Sequence, residues 1–155
     1  MQRQKVENTA LFEQMRAMLA QGLDVRFTVS GHSMWPTITH DRDAVVVSPC
    51  SRVRRGDVVL FCPMEGQYLL HRIYKVRQGR IYTCGDGNCF RDGDFSLETV
   101  MGRVVTICRK GKEISCDGGW YRLRSWAWLV LYPVRPLLLR CLRWVAGRRG
   151  GTHDR

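Results

Sequence analysis

Three short segments carry side chains suited to nucleophilic chemistry. In SGHSMWPT, residues 30–37, Ser33 follows a run of β-branched residues and sits among Gly31, Met34 and Pro36. A serine nucleophile needs an exposed hydroxyl on a tight turn, with backbone N–H groups free to hold an oxyanion. Glycine allows close backbone approach, and proline offers no N–H and stiffens the exit. In LLHRIYKV, residues 69–76, His71 lies in an apolar run beside Arg72. An imidazole is a ready base near neutral pH. In GDGNCFRD, residues 85–92, Asp86 and Asp92 mark a Gly-rich corner. A carboxylate there can orient the imidazole and stabilise its charged form. Each segment also has an ordinary reading: a turn serine, a packed strand histidine, an Asx turn. Their order is more specific, because a strand-end Ser, a strand His and a turn Asp within one β-rich region can converge.

The elements that must position these groups are short. Residues 7–21 place Leu11, Phe12, Met15, Met18 and Leu19 at helical spacing, with Gly22 as the stop. From residue 25 the period changes to that of strands: VRFTV, AVVV, DVVLF, YLLHRIYKV, RIYTC and VMGRVVTICR, punctuated by Gly and Pro. A final strand pair turns at Gly111. The fold expected is mainly β, an antiparallel barrel-like domain with a short N-terminal helix and a helical, Arg/Trp/Leu-rich C-terminal tail. The divisions expected are a helix over 1–24, the β-domain over 25–118 and the tail over 119–155. Pro133 and Pro136 prevent the tail from forming one helix.

The net charge of +11 on 155 residues suggests nucleic acid until it is divided along the chain. Residues 120–155 hold eight of the 25 basic residues and one of the 14 acidic ones. The basic excess therefore belongs mostly to a tail whose arginines alternate with Trp and Leu. No recognised reading motif accompanies it, so no nucleic-acid partner is expected. Trp, Leu and Tyr beside Arg fit a segment lying on an anionic membrane surface. The alternative is a tail that folds back over the β-domain or into a partner's groove. The longest uncharged stretch, residues 126–134, is about half of a spanning length.

Seven Cys is an odd number, and the first 24 residues lack the apolar core of a signal peptide. Reduced thiols in a cytoplasmic compartment are expected, most of them acting as small hydrophobes. Cys84 and Cys89 lack partners at zinc-site spacing. No metal and no cofactor is expected. The location expected is cytoplasmic, or peripheral on the cytoplasmic face of a membrane, with a membrane-embedded C-terminal segment left open.

Taken together, SGHSMWPT, RRGDVVLF, LLHRIYKV and GDGNCFRD followed by VMGRVV resemble the signal peptidase I and LexA-like serine peptidase superfamily. The resemblance covers residues 25 to about 107. It implies a metal-free peptidase domain in which Ser33 matches the nucleophile, His71 the general base and Asp92 the third member. Asp86 and Asn88 match the supporting GDxN box. A His at the base position is similar to the endoplasmic-reticulum and archaeal branch, where other branches carry Lys. Lys75, four residues on, would share the face of His71 in an ideal strand, but no family pattern makes it the base. The Ser33 backbone N–H would hold the oxyanion. Many relatives add a Ser two residues before the nucleophile; here that position is Gly31, and Ser30 is the candidate substitute. His32 reads as a solvent-facing turn residue.

The resemblance implies a serine endopeptidase acting on a peptide or precursor protein, with signal- or leader-peptide processing at or near a membrane as its task. The alternative is a catalytically weak or inactive peptidase fold serving as a basic membrane- or peptide-binding module. A self-cleaving regulator would need a DNA-binding domain, and only 24 residues precede the first strand.

Overall fold

The computed structural model describes residues 2–149, with side-chain environments from residue 10 to residue 148. The first helix, α1, runs over Gln2–Ala20, longer than the expected 7–21 at its start. It ends as a Schellman motif: Gly22 N–H donates to the Leu19 carbonyl, and Leu23 N–H to that of Met18. Gly22 takes the required positive φ of 81°. Met15 and Leu19 enter the core, whereas Leu11 and Met18 stay exposed. Only one edge of the apolar stripe is therefore used for packing.

Eight strands follow: β1 (Val25–Thr28), β2 (Asp43–Ser48), β3 (Val58–Met64), β4 (Gln67–Arg77), β5 (Arg80–Cys84), β6 (Gly93–Ser96), β7 (Val100–Arg109) and β8 (Lys112–Ser115). All pairings are antiparallel, in the order β1-β2-β7-β3-β4-β5-β6, with β8 on β7. The expected strands appear. β6 was hidden in the sequence because Gly and Asp open it and it has only four residues.

The sheet does not close, which corrects the barrel-like expectation. A barrel needs its edge strands to pair, and β1 and β6 remain opposite ends of the order. The burial of β3 gives the physical reason. Val58 and Leu60 join one cluster with Val45, Val47, Val104 and α1, while Val59 and Phe61 join another with Ile73 and Ile81. Both faces of β3 are thus covered, and this explains its unbroken apolar run. Two cores replace the single interior of a barrel.

After β8 come α2 (Gly119–Val130), a 3-10 turn (Tyr132–Val134) and α3 (Arg135–Arg149). The break falls at the two prolines, as their missing N–H groups require. Ser125, Leu129, Arg135 and Leu139 are buried, so this segment folds back on the β-domain along one side. Residues 150–155 of the expected tail lie outside the described residues.

Candidate active site

Ser33 stands on the loop between β1 and β2. Gly31 before it adopts a φ of 97°, where a side chain would be strained, and its N–H donates to His40 Nδ1 at 3.0 Å. Among the described residues, no backbone acceptor takes the Ser33 N–H. The Ser33 carbonyl is instead fixed from behind, because Gly87 N–H donates to it at 2.7 Å. This contact explains the glycines of the GDGN corner. A Cβ on Gly85 would come within 2.5 Å of the Ser33 carbonyl oxygen, and one on Gly87 within 2.7 Å of those of His32 and Trp35. The corner is pressed against the serine loop backbone to backbone. Asn88 reinforces it through its N–H to the Gly85 carbonyl.

His71 lies on β4 opposite Val59 of β3. Its ring is 7% exposed, and Nδ1 is 2.6 Å from Asp92 Oδ2. Asp92 also accepts the Thr83 hydroxyl at 2.9 Å and donates its N–H to the Thr83 carbonyl. Ser33, His71 and Ser30 line one cleft of about 380 Å³, walled by Phe12, Phe27 and Tyr68. Among the described residues no direct hydrogen bond joins Ser33 to His71. Phe12 of α1 stacks on Tyr68 at 4.6 Å. The Tyr68 hydroxyl donates to Glu13, and this bond pushes its pKa up to about 12.

Asp86 does not reach the cleft. It is fully buried and takes three guanidinium contacts from Arg72, at 2.6 to 3.1 Å, plus the Thr37 hydroxyl. Burial alone would lower the Arg72 pKa, but the Asp86 charge outweighs it and raises the value. Arg72 also donates to Ser125 Oγ of α2 at 2.7 Å and to the Gly56 carbonyl at 2.9 Å. This buried pair links the His71 strand, the serine loop, the GDGN corner and the C-terminal helices.

Lys75 lies elsewhere. A register shift between Ile73 and Lys75 breaks the two-residue alternation, and its ammonium sits over the Tyr82 ring at 5.1 Å, exposed. His32 is exposed beside His40, ring centroids 4.9 Å apart. All seven Cys are free; Cys84, Cys108 and Cys116 are buried, and Cys89 and Cys141 are exposed.

This cleft, with its serine loop and His–Asp pair, is where the sequence meets a known family. Residues 3–105 match the family described as Peptidase S24-like. The chain belongs to that family. The matched segment holds the serine loop, the His71 strand and the GDGN corner, and it ends within β7, before the C-terminal helices. The protein is therefore a serine peptidase-fold member of the S24-like group. No curated protein matches it.

Three contributors escaped the sequence reading. Thr83 holds Asp92, Thr37 holds Asp86, and Arg135 of α3 holds the corner, donating to the Gly85 carbonyl at 3.3 Å and contacting Cys84 Sγ at 3.7 Å. The only available signal for Arg135 was an arginine lodged between two apolar runs.

Proposed function

We propose that the protein is a serine endopeptidase in which Ser33 is the nucleophile, His71 the general base and Asp92 the group that orients it. The observation that carries this reading is the 2.6 Å contact of His71 Nδ1 with Asp92 Oδ2, beside a cleft that Ser33 also lines. The Asp92 contact favours the tautomer with its proton on Nδ1, which leaves Nε2 to accept the Ser33 proton. The Ser33 oxygen then bonds to the scissile carbonyl carbon, and the carbonyl becomes an oxyanion facing the Ser33 N–H. Collapse breaks the C–N bond as His71 returns its proton to the leaving amine. Water, deprotonated by His71, releases the acyl group and restores Ser33.

The Ser–His pairing is the finer part of this reading, because the family match does not discriminate between bases. The substrate proposed is a leader- or signal-like segment of a precursor peptide, processed at or near a membrane. Gly31 supplies no hydroxyl to the oxyanion, and Ser30, which lines the same cleft, is the proposed substitute. That gap gives the second reading its support: a peptidase fold that binds peptide without cutting it.

A serine-directed acylating probe separates the two. Wild-type protein should be labelled at Ser33, and Ser33→Ala and His71→Ala should lose labelling while keeping the wild-type circular dichroism. Labelling that persists in a folded Ser33→Ala protein overturns the catalytic reading. Peptide binding without labelling of the wild type supports the second.

A further inference from the structure

The C-terminal helices each bury one face and leave the opposite face apolar. α2 turns Ser125 and Leu129 inward, and α3 turns Arg135 and Leu139 inward. On the outward side of α2, Trp120, Leu123, Trp126 and Val130 recur at three- and four-residue steps and are exposed. On α3, Leu137 and, two turns later, Trp144 and Val145 are exposed. Of the sixteen large hydrophobic residues exposed among the described residues, ten lie between 120 and 145. A soluble surface carries such residues scattered singly; here they are gathered.

The charge around them has one sign. Residues 119–149 contain seven Arg, of which Arg135 is buried and Arg122 lies 3.8 Å from Asp57 Oδ1, and neither Asp nor Glu. Arg122 and Arg124 flank the α2 stripe, and Arg148 lies 3.7 Å over the Trp144 ring. A second copy docking face to face would set guanidinium groups against guanidinium groups. A nucleic acid would satisfy the arginines but leave the Trp/Leu stripe without a partner. A lipid interface satisfies both, taking apolar groups among the acyl chains and guanidinium groups among anionic headgroups. At 1.5 Å per residue α2 is about 18 Å long and α3 about 22 Å, short of the roughly 30 Å hydrocarbon core. No described helix is long and apolar enough to cross a membrane.

We infer that the outward face of α2 and α3 docks in the plane of an anionic lipid surface. This docking is independent of the catalytic reading, and Ser33→Ala must bind as wild type does. The test is co-sedimentation of the full chain with vesicles of phosphatidylglycerol and phosphatidylcholine, against phosphatidylcholine alone. Binding should be at least about tenfold tighter on the anionic vesicles and should weaken in high salt. The Trp fluorescence should shift to the blue on binding. The triple change Trp120→Ser, Leu137→Ser and Trp144→Ser should weaken binding at least about tenfold, with the circular dichroism unchanged. If that variant fails to fold, Arg140→Glu with Arg148→Glu carries the same test through charge. Equal binding to both vesicles, or to neither, overturns the inference. So does a concentration-dependent dimer that the same substitutions abolish, which would make a second copy the occupant. Binding of an acidic protein or RNA without vesicle binding overturns it as well.

Discussion

Asp92 is held from two sides, by the His71 ring at 2.6 Å and the Thr83 hydroxyl at 2.9 Å. An amide in its place would present a donor to one of them and favour the wrong imidazole tautomer. Asp92→Asn should therefore slow acylation of Ser33 by the probe by about 10⁴-fold with little change in stability; stopped-time labelling measures it. A rate within a few-fold of wild type would remove Asp92 from the mechanism. At this scale, the candidate residues were legible. Ser33, His71 and Asp92 carry reactive side chains, and such chemistry is visible in the residue type. Thr83 was not legible, since a hydroxyl within RIYTC looks like any strand threonine. The resemblance already set Lys75 aside, and the bulge after Ile73 adds the physical reason, because a one-residue register shift sends a side chain to the other face.

Asp43 shows how elements are tied to one another. It opens β2, is fully buried, and accepts from Arg42, from Arg109 at the end of β7 and from the Thr39 N–H. Burial alone would raise its pKa, but these bonds outweigh it and hold the value well below the ordinary 3.8. Because the folded value is depressed, the stability it contributes is complete above about pH 4. That stability is lost as the pH falls through the folded value. Asp43→Asn should cost about 1.5 kcal/mol near neutral pH, since Arg42 and Arg109, both partly exposed, lose their counter-charge but keep a hydrogen-bond acceptor. Urea unfolding at a series of pH values tests both points. The wild-type midpoint should fall steeply below about pH 4, and the variant should lose much of that slope. The strands were legible from their two-residue period, but the β2–β7 pairing was not, because Asp43 and Arg109 are 66 residues apart. β6 was missed for the opposite reason, having too few residues and too little strand propensity to mark itself.

Across the whole molecule, the C-terminal helices brace the site from outside the family segment. Ser125 of α2 takes a hydrogen bond from Arg72, the neighbour of His71, and Arg135 of α3 holds the Gly85 carbonyl of the corner that fixes Ser33. Arg135 is 1% exposed and its guanidinium faces the Trp128 and Tyr132 rings. In the proposed reaction Arg135 is thus a positioning residue. Arg135→Met keeps most of the stem but loses these bonds, and it should slow probe acylation by about tenfold to a hundredfold, the range a small displacement of reacting groups produces. The Kd of a bound, uncleaved peptide should hardly change. Arg135→Lys should recover part of the rate. Equal losses in rate and in peptide affinity would point to general unfolding and overturn the positioning role. The charge division along the sequence marked this tail as distinct, but not that one of its arginines is a buried anchor.

The sequence alone determined which candidate reactive side chains the protein carries, in what order, and the local periods that place them on a loop, a strand and a corner. It also determined that the tail must break at Pro133 and Pro136, because proline's missing N–H is a property of the residue itself. Only the tertiary structure decided which groups meet. The serine loop against the GDGN corner, Arg72 against Ser125, and Arg135 against Gly85 are contacts across about 50 residues, with no trace in local periodicity. The open sheet was likewise decided there. Alternation records which face of a strand is buried, not whether distant edges pair, and β3, buried on both faces, satisfied its apolar run with two cores.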